Sequence, residues 1–262
     1  TGFVGKVRND ELGGLFSHDL KATGVDFTVP AAAEGPATAR CFVLVTPDGE
    51  RTMSTYLGAC QGLSPDDVDK TLVSSARVVY LEGYLWDPPA AKDAFRKAAQ
   101  LAHQAGNAVA LTLSDAFCVG RYRDEFLGLV RDGSIDILFA NMAELQSLYE
   151  TEDPEAAVAA LRDERNARGR HLLGLVTRSA DGALVVQGGE VRAVEASPVQ
   201  TVVDTTGAGD LFAAGFLAGH ARGLDNVASA RLGTLAAAEV IQHIGARPQA
   251  DLIGLAKARG LL

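Results

Sequence analysis

From Ser74 onward, short apolar runs alternate with amphipathic stretches. Arg77-Val78-Val79-Tyr80-Leu81-Glu82 is a β-rich run. Pro88 to Gly106 then takes helical spacing, with Ala91, Ala94, Phe95, Ala98, Leu101 and Ala102 on one face and Gly106 as the stop. Ala108-Val109-Ala110-Leu111-Thr112-Leu113 and Ile135-Asp136-Ile137-Leu138-Phe139-Ala140 are the next strand candidates. A polar helix around Pro154–Arg168 leads to Leu172-Leu173-Gly174-Leu175-Val176-Thr177. Asp181-Gly182 then turns into Ala183-Leu184-Val185-Val186 as an antiparallel addition. Ala/Leu-rich helices follow at about 209–222, 225–243 and 249–259. Near-continuous apolar strands alternating with helices specify an α/β fold, a mostly parallel sheet covered on both faces in three layers.

Residues 25–58 break the pattern. Val25-Asp26-Phe27-Thr28-Val29, Ala39-Arg40-Cys41-Phe42-Val43-Leu44-Val45 and Arg51-Thr52-Met53-Ser54-Thr55-Tyr56 are strand-like, separated by turns at Pro30–Pro36 and Pro47-Asp48-Gly49-Glu50. The expected organisation is a core of 1–24 and 59–262 with a small β-sheet lid at 25–58. The opening Thr1-Gly2-Phe3-Val4-Gly5-Lys6-Val7 reads as the end of a strand, so an N-terminal part is expected outside this sequence.

Composition narrows the partners. With 47% apolar and 22% charged residues, the chain of 262 is a folded domain with a sizeable core. Its 33 acidic against 24 basic side chains give a net charge of −9, which speaks against nucleic acid or an anionic membrane as the main partner. Cys41, Cys60 and Cys118 form no C-x-x-C pair, which suits a reducing cytosol. No run of about 18 apolar residues and no secretory leader pattern is present, so a cytoplasmic location is expected. The 28 glycines exceed the usual share of about 7% and direct attention to ligand sites built from backbone.

One motif stands out. Val202-Val203-Asp204-Thr205-Thr206-Gly207-Ala208-Gly209-Asp210 joins a β-branched segment to an Ala/Leu/Phe helix. Glycines 207 and 209 let amides converge at the helix start, where the dipole also favours an anion. Asp210 would repel a phosphate, yet it is well chosen if a carboxylate must take a proton from a hydroxyl attacking phosphorus. The plainer alternative is an acidic helix cap on a Gly-rich turn.

Asp204–Asp210, continued by Leu211-Phe212-Ala213-Ala214-Gly215-Phe216, resembles the C-terminal signature of the ribokinase-like (PfkB) family of carbohydrate and nucleoside kinases. Asn141-Met142-Ala143-Glu144 looks like the family's N-x-x-E. Thr177-Arg178-Ser179-Ala180-Asp181-Gly182 looks like its T-x-G-x-x-G nucleotide loop, with Ser179 where glycine is usual. Thr55–Cys60, Glu82–Pro89 and Leu113–Phe117 resemble the bacterial adenosine kinase branch. The resemblance covers essentially the whole chain. It also implies an N-terminal segment before Gly2 that binds the substrate's hydroxyls.

The resemblance implies ATP-dependent phosphorylation of the 5′-hydroxyl of adenosine or a related purine nucleoside. Asp210 would be the base, with the amides of Gly207, Ala208 and Gly209 on the transferring phosphoryl group and Glu82 facing the acceptor. Asn141 and Glu144 would hold Mg²⁺ through waters, although Asn-x-x-Glu is equally a helix capping box. Thr177, Ser179, Gly182 and Thr234 would line the nucleotide. Asp204 and Thr206 match positions that bind K⁺ in some relatives, completed by Ile244-Gly245-Ala246. A homodimer through the exposed flap is an open expectation. Two rivals stand beside this: a sugar kinase of the same family acting on ribose, fructose or a keto-deoxy sugar acid, and a non-catalytic ligand-binding relative.

The other chemistries lack their marks. Histidines 18, 103, 171, 220 and 243 have no metal-site spacing, and neither G-x-x-x-x-G-K-[ST] nor a strand-borne G-x-G-x-x-G is present. Phe27, Phe42 and Tyr56 are read as packing the flap, and Arg121-Tyr122-Arg123-Asp124-Glu125 as a solvated helix face.

Overall fold

The computed structural model describes residues 1–262. It divides into two compact units, Thr1–Val43 with Met53–Val109, and Leu44–Thr52 with Ala110–Leu262.

In the first unit, helix α1 (Glu11–Ala22) starts where Asp10 accepts the Gly13 N–H. The opening residues are extended and make single parallel bridges, Gly2 to Asp26 and Arg8 to Ala32. Val25–Val29 is therefore not a third flap strand. Phe27 is buried instead in an edge-to-face cluster with Phe3 and Phe16, ring centres 5.6–5.9 Å apart. The flap is a two-stranded hairpin, β1 (Arg40–Val45) and β2 (Arg51–Tyr56), whose turn belongs to the second unit. Phe42 stands exposed on it, and Tyr56 lies under the Arg40 guanidinium at 4.8 Å. Helix α2 (Lys70–Ser75) precedes β3 (Val78–Glu82), and α3 (Pro89–Gln104) follows with the expected apolar face buried apart from half-buried Leu101.

The chain passes between units inside β4 (Ala108–Thr112). Then come α4 (Ala116–Arg131), β5 (Ile137–Asn141), α5 (Met142–Tyr149), α6 (Pro154–Asp163), β6 (Leu173–Thr177), β7 (Ala183–Gln187) and β8 (Glu190–Val194). The main sheet runs β3-β4-β5-β6-β7-β8. Strands β4, β5 and β6 are parallel, β7 opposes β6 and β8 opposes β7. Parallel pairing places Asn141 beside Thr177 at the carboxyl ends of adjacent strands, the edge where open α/β sheets bind ligands. The α/β fold with a mostly parallel sheet, flanking helices and a small antiparallel sheet is as expected. Helix α6 stops five residues short of Arg168, where Arg165 instead bridges to His171.

Helices α7 (Ala208–Ala221), α8 (Asn226–Val240) and α9 (Leu252–Ala258) end the chain. The α7–α8 seam is built from glycine. A Cβ at Gly215 would lie 2.5 Å from the Leu232 carbonyl oxygen, one at Gly233 2.7 Å from that of Phe212, and one at Gly219 3.0 Å from Ser229 Cα. Backbones this close fix where α7 begins. No helix is long and apolar enough to cross a membrane.

Candidate active site

The turn into α7 is organised by Gly207, which takes φ +83° at the N-cap. A Cβ there would meet Ala246 within 2.9 Å, so the loop after α8 closes directly on the turn. The first amides of a helix have no carbonyl one turn back. Ala208 N–H reaches the Thr205 carbonyl at a long 3.3 Å, while Gly207 and Gly209 amides are not spent on the fold. Gly209 is helical, with nothing within 4 Å of where its Cβ would stand. Neither backbone nor packing demands glycine there, and the open space leaves room for a ligand.

Asp210 follows, on the open side of that turn. The surrounding protein pushes its carboxyl above the ordinary range, and the Arg51 charge pulls it back. Arg51 is the residue the sequence reading missed. Its Nη1 donates to Thr205 Oγ1 at 2.7 Å, while Thr205 N–H and Oγ1 each reach the Gly49 carbonyl at 3.3 Å. The hairpin turn is thus latched to the motif, with a guanidinium beside both aspartates. The available signal was a lone basic residue after a tight Asp-Gly turn.

Asp204 is only 2% exposed. Its Oδ1 accepts from Thr206 N–H at 2.8 Å and its Oδ2 from Gly245 N–H at 2.9 Å. Burial pushes its pKa up, but the Thr206 hydroxyl, the Gly245 and Thr206 amides and Arg51 outweigh that and hold it below the ordinary range. Thr206 Oγ1 is buried without a hydrogen-bond partner of good geometry.

Asn141 and Glu144 do form the capping box. Asn141 Oδ1 accepts Glu144 N–H, Glu144 Oε2 accepts Asn141 N–H at 2.9 Å, and Asn141 Nδ2 donates to Glu144 Oε1 at 2.7 Å. Glu144 is 6% exposed. Burial drives its pKa to about 7, opposed by the Asn141 N–H and reinforced by Asp115. A carboxyl whose folded pKa is raised destabilises the fold once ionised. That penalty is absent below the unfolded value and grows until the pH passes about 7. Between pH 5 and 8 the linkage amounts to roughly 2–3 kcal/mol. Urea melts of wild type and Glu144→Gln should therefore show the variant gaining ground on wild type as pH rises. A pH-independent difference would refute it.

The loop after β6 is closed by Arg178 N–H to Gly182 O at 2.8 Å and Gly182 N–H to Ser179 O at 3.2 Å. Gly182 has φ +76°, and a Cβ would strike the Val194 carbonyl at 2.1 Å. Ser179 takes φ +52°, a left-handed conformation suited to glycine. Ser179→Gly should therefore raise stability by about 0.5–1 kcal/mol in a thermal melt, and a lower Tm would count against the strain. A pocket of about 990 Å³ brings Asn141, Thr177 and Ser179 together with Met142, Arg178 and Leu184. Gly182 and Thr234 are not among its lining residues. Thr234 is buried in α8 and donates to Arg231 O at 3.0 Å. Glu82 ends β3, half-buried, in the first unit.

A family model for pfkB family carbohydrate kinases matches residues 1–252. Adenosine kinase from Sinorhizobium meliloti is 50% identical with a TM-score of 0.93, over 98% of this chain and 77% of that one. Adenosine kinase from Schistosoma mansoni in complex with 2-fluoroadenosine is 26% identical with a TM-score of 0.86, over 97% of this chain and 76% of that one. An ATP-dependent ribose-1-phosphate kinase of Halopiger xanaduensis is 32% identical over 222 residues, which cover 83% of this chain. The chain spans 66% of the length of that protein.

Proposed function

The chain belongs to the pfkB family of carbohydrate kinases, and on that premise we propose that it transfers the γ-phosphoryl group of ATP to the 5′-hydroxyl of adenosine or a related purine nucleoside. The observation that carries this is the base-and-amide arrangement at the start of α7. There a carboxylate with raised proton affinity sits one residue past a glycine whose amide is not spent on the fold. The likeness to adenosine kinases from two organisms supports the nucleoside as acceptor.

In the reaction, Asp210 accepts the hydroxyl proton as the acceptor oxygen bonds to phosphorus and the bond to the leaving ADP oxygen breaks. The amides of Gly207, Ala208 and Gly209 face the equatorial oxygens; Ala208 gives up its long bond to Thr205 for the stronger acceptor. Arg51 holds negative charge beside them. Asn141, Thr177, Ser179, Gly182 and Thr234 serve the nucleotide. The β1–β2 hairpin, within residues 25–58 and latched to Thr205 through its turn, acts as the lid that excludes water from the reacting groups. Its exposed Phe42 and Leu44 are the face through which a homodimer would form.

No group of three or more His, Cys, Asp or Glu side chains could hold a metal directly. Asn141 and Glu144 would hold Mg²⁺ through its waters. Magnesium neutralises charge on the phosphates when bound. The Thr206 hydroxyl, which lacks a well-aligned partner and sits beside ionised Asp204, fits K⁺ as the further ion.

The second reading, a sugar kinase, is favoured by the ribose-1-phosphate kinase relative. ADP release from ATP and Mg²⁺ across nucleosides and sugars, with and without K⁺, decides between them. Adenosine turnover supports the proposal, turnover of a sugar alone moves the acceptor, and no turnover with tight ligand binding favours a binding protein.

A further inference from the structure

The wall that closes on the Asp204–Asp210 turn is the chain just beyond α8. Ile241 O accepts the N–H groups of Val203 at 2.8 Å and Asp204 at 3.3 Å. Gly245 N–H donates to Asp204 Oδ2, and Ala246 packs against Gly207. Burial does little to hold this wall, since Ile244 is 65% exposed and residues 246–250 are exposed too. A carboxylate on α8 ties down its far end. Glu239 Oε1 accepts the N–H groups of Gln249 at 2.9 Å and Ala250 at 2.8 Å, and His243 Nε2 lies 3.3 Å from the same oxygen.

That tie is an expensive one. The Glu239 and His243 side chains are only 10% and 16% exposed, and Glu239 Oε2 and His243 Nδ1 are buried with no partner. Burying polar atoms without partners costs stability. The two amides it serves belong to exposed residues that water could satisfy, so the fold gains little from the arrangement. What the carboxylate does fix is the path of residues 244–250.

From this we infer that Glu239, oriented by His243, is a positioning residue for the phosphoryl-transfer site. It sets the loop, and through Gly245 and Ala246 the loop sets Asp204 and Gly207. The inference rests on reading Asp204–Asp210 as that site.

The test compares wild type, Glu239→Ala and Glu239→Gln by steady-state kinetics, thermal melting and amide hydrogen exchange. The alanine variant should lose at least tenfold in kcat, with the acceptor KM moving less than twofold. Glutamine keeps an acceptor for Gln249 and Ala250 and should recover most of that loss. Exchange in the alanine variant should quicken at 203–209 and 241–250 and stay unchanged in β6 and β7. Wild-type kcat in the alanine variant, or a uniform rise in exchange with kcat and KM falling together, would overturn it. A wild type with no turnover rejects the kinase reading alone, because the exchange pattern still decides the positioning role.

Discussion

Replacing Asp210 by asparagine should lower kcat about a thousandfold while leaving the acceptor KM within a few-fold, since general-base contributions run to about 10²–10⁴. Asparagine matches the carboxylate in shape and cannot take a proton, so binding survives and chemistry does not. The pH profile carries an independent mark. A base in the proposed role works ionised, so activity should fall as pH drops through its pKa. That pKa is raised because surrounding protein disfavours the charged form more than Arg51 restores it. The acid limb should therefore lie above the ordinary carboxylate range and vanish in the asparagine variant. Steady-state rates from pH 4.5 to 9 measure both. An Asp210→Asn enzyme keeping a tenth of wild-type kcat would falsify the base assignment.

Gly207→Ala should be nearly as damaging for a different reason. Alanine at φ +83° costs about 1–2 kcal/mol from its own backbone, and its Cβ would press on Ala246 at 2.9 Å. Relief requires moving either the turn or the 244–250 loop, and each displaces the amides proposed to hold the phosphoryl oxygens. Losing one such donor commonly costs about 10²–10³ in kcat. The expected result is a loss of roughly a hundredfold or more in kcat together with a lower Tm. Gly209→Ala separates the two effects. Its backbone is helical and its surroundings empty, so stability should rise by about 1 kcal/mol while turnover still falls. Full activity in both variants would mean the turn holds no phosphoryl group.

The strands β4 to β7 and the helices α7 to α9 were legible because period and turn chemistry are local properties. The Asp204–Asp210 motif was legible for the same reason. Arg51 was not, because its meaning comes from a contact with Thr205 across 154 positions. Helix α1 was hidden by Gly13 and Gly14, poor helix formers. Gly13 is there because a Cβ would lie 2.0 Å from the Arg8 carbonyl oxygen. Val25–Val29 has the composition of a strand, and only the Phe3–Phe16–Phe27 cluster reveals that it packs inward. Strand β8 escaped notice because four of its five residues face solvent. Asn141 and Glu144 were legible as a pair, and the capping box they form leaves their further role to chemistry rather than to pattern.

The glycine seam between α7 and α8 has a consequence for anyone diversifying this protein. At positions 215 and 233 a side chain would strike backbone carbonyl oxygen, and at 219 it would crowd Ser229 and Leu232, so random libraries will lose members there whatever acceptor is selected for. Those codons are best held constant, and variation spent on the hairpin, where exposed side chains leave sequence space open.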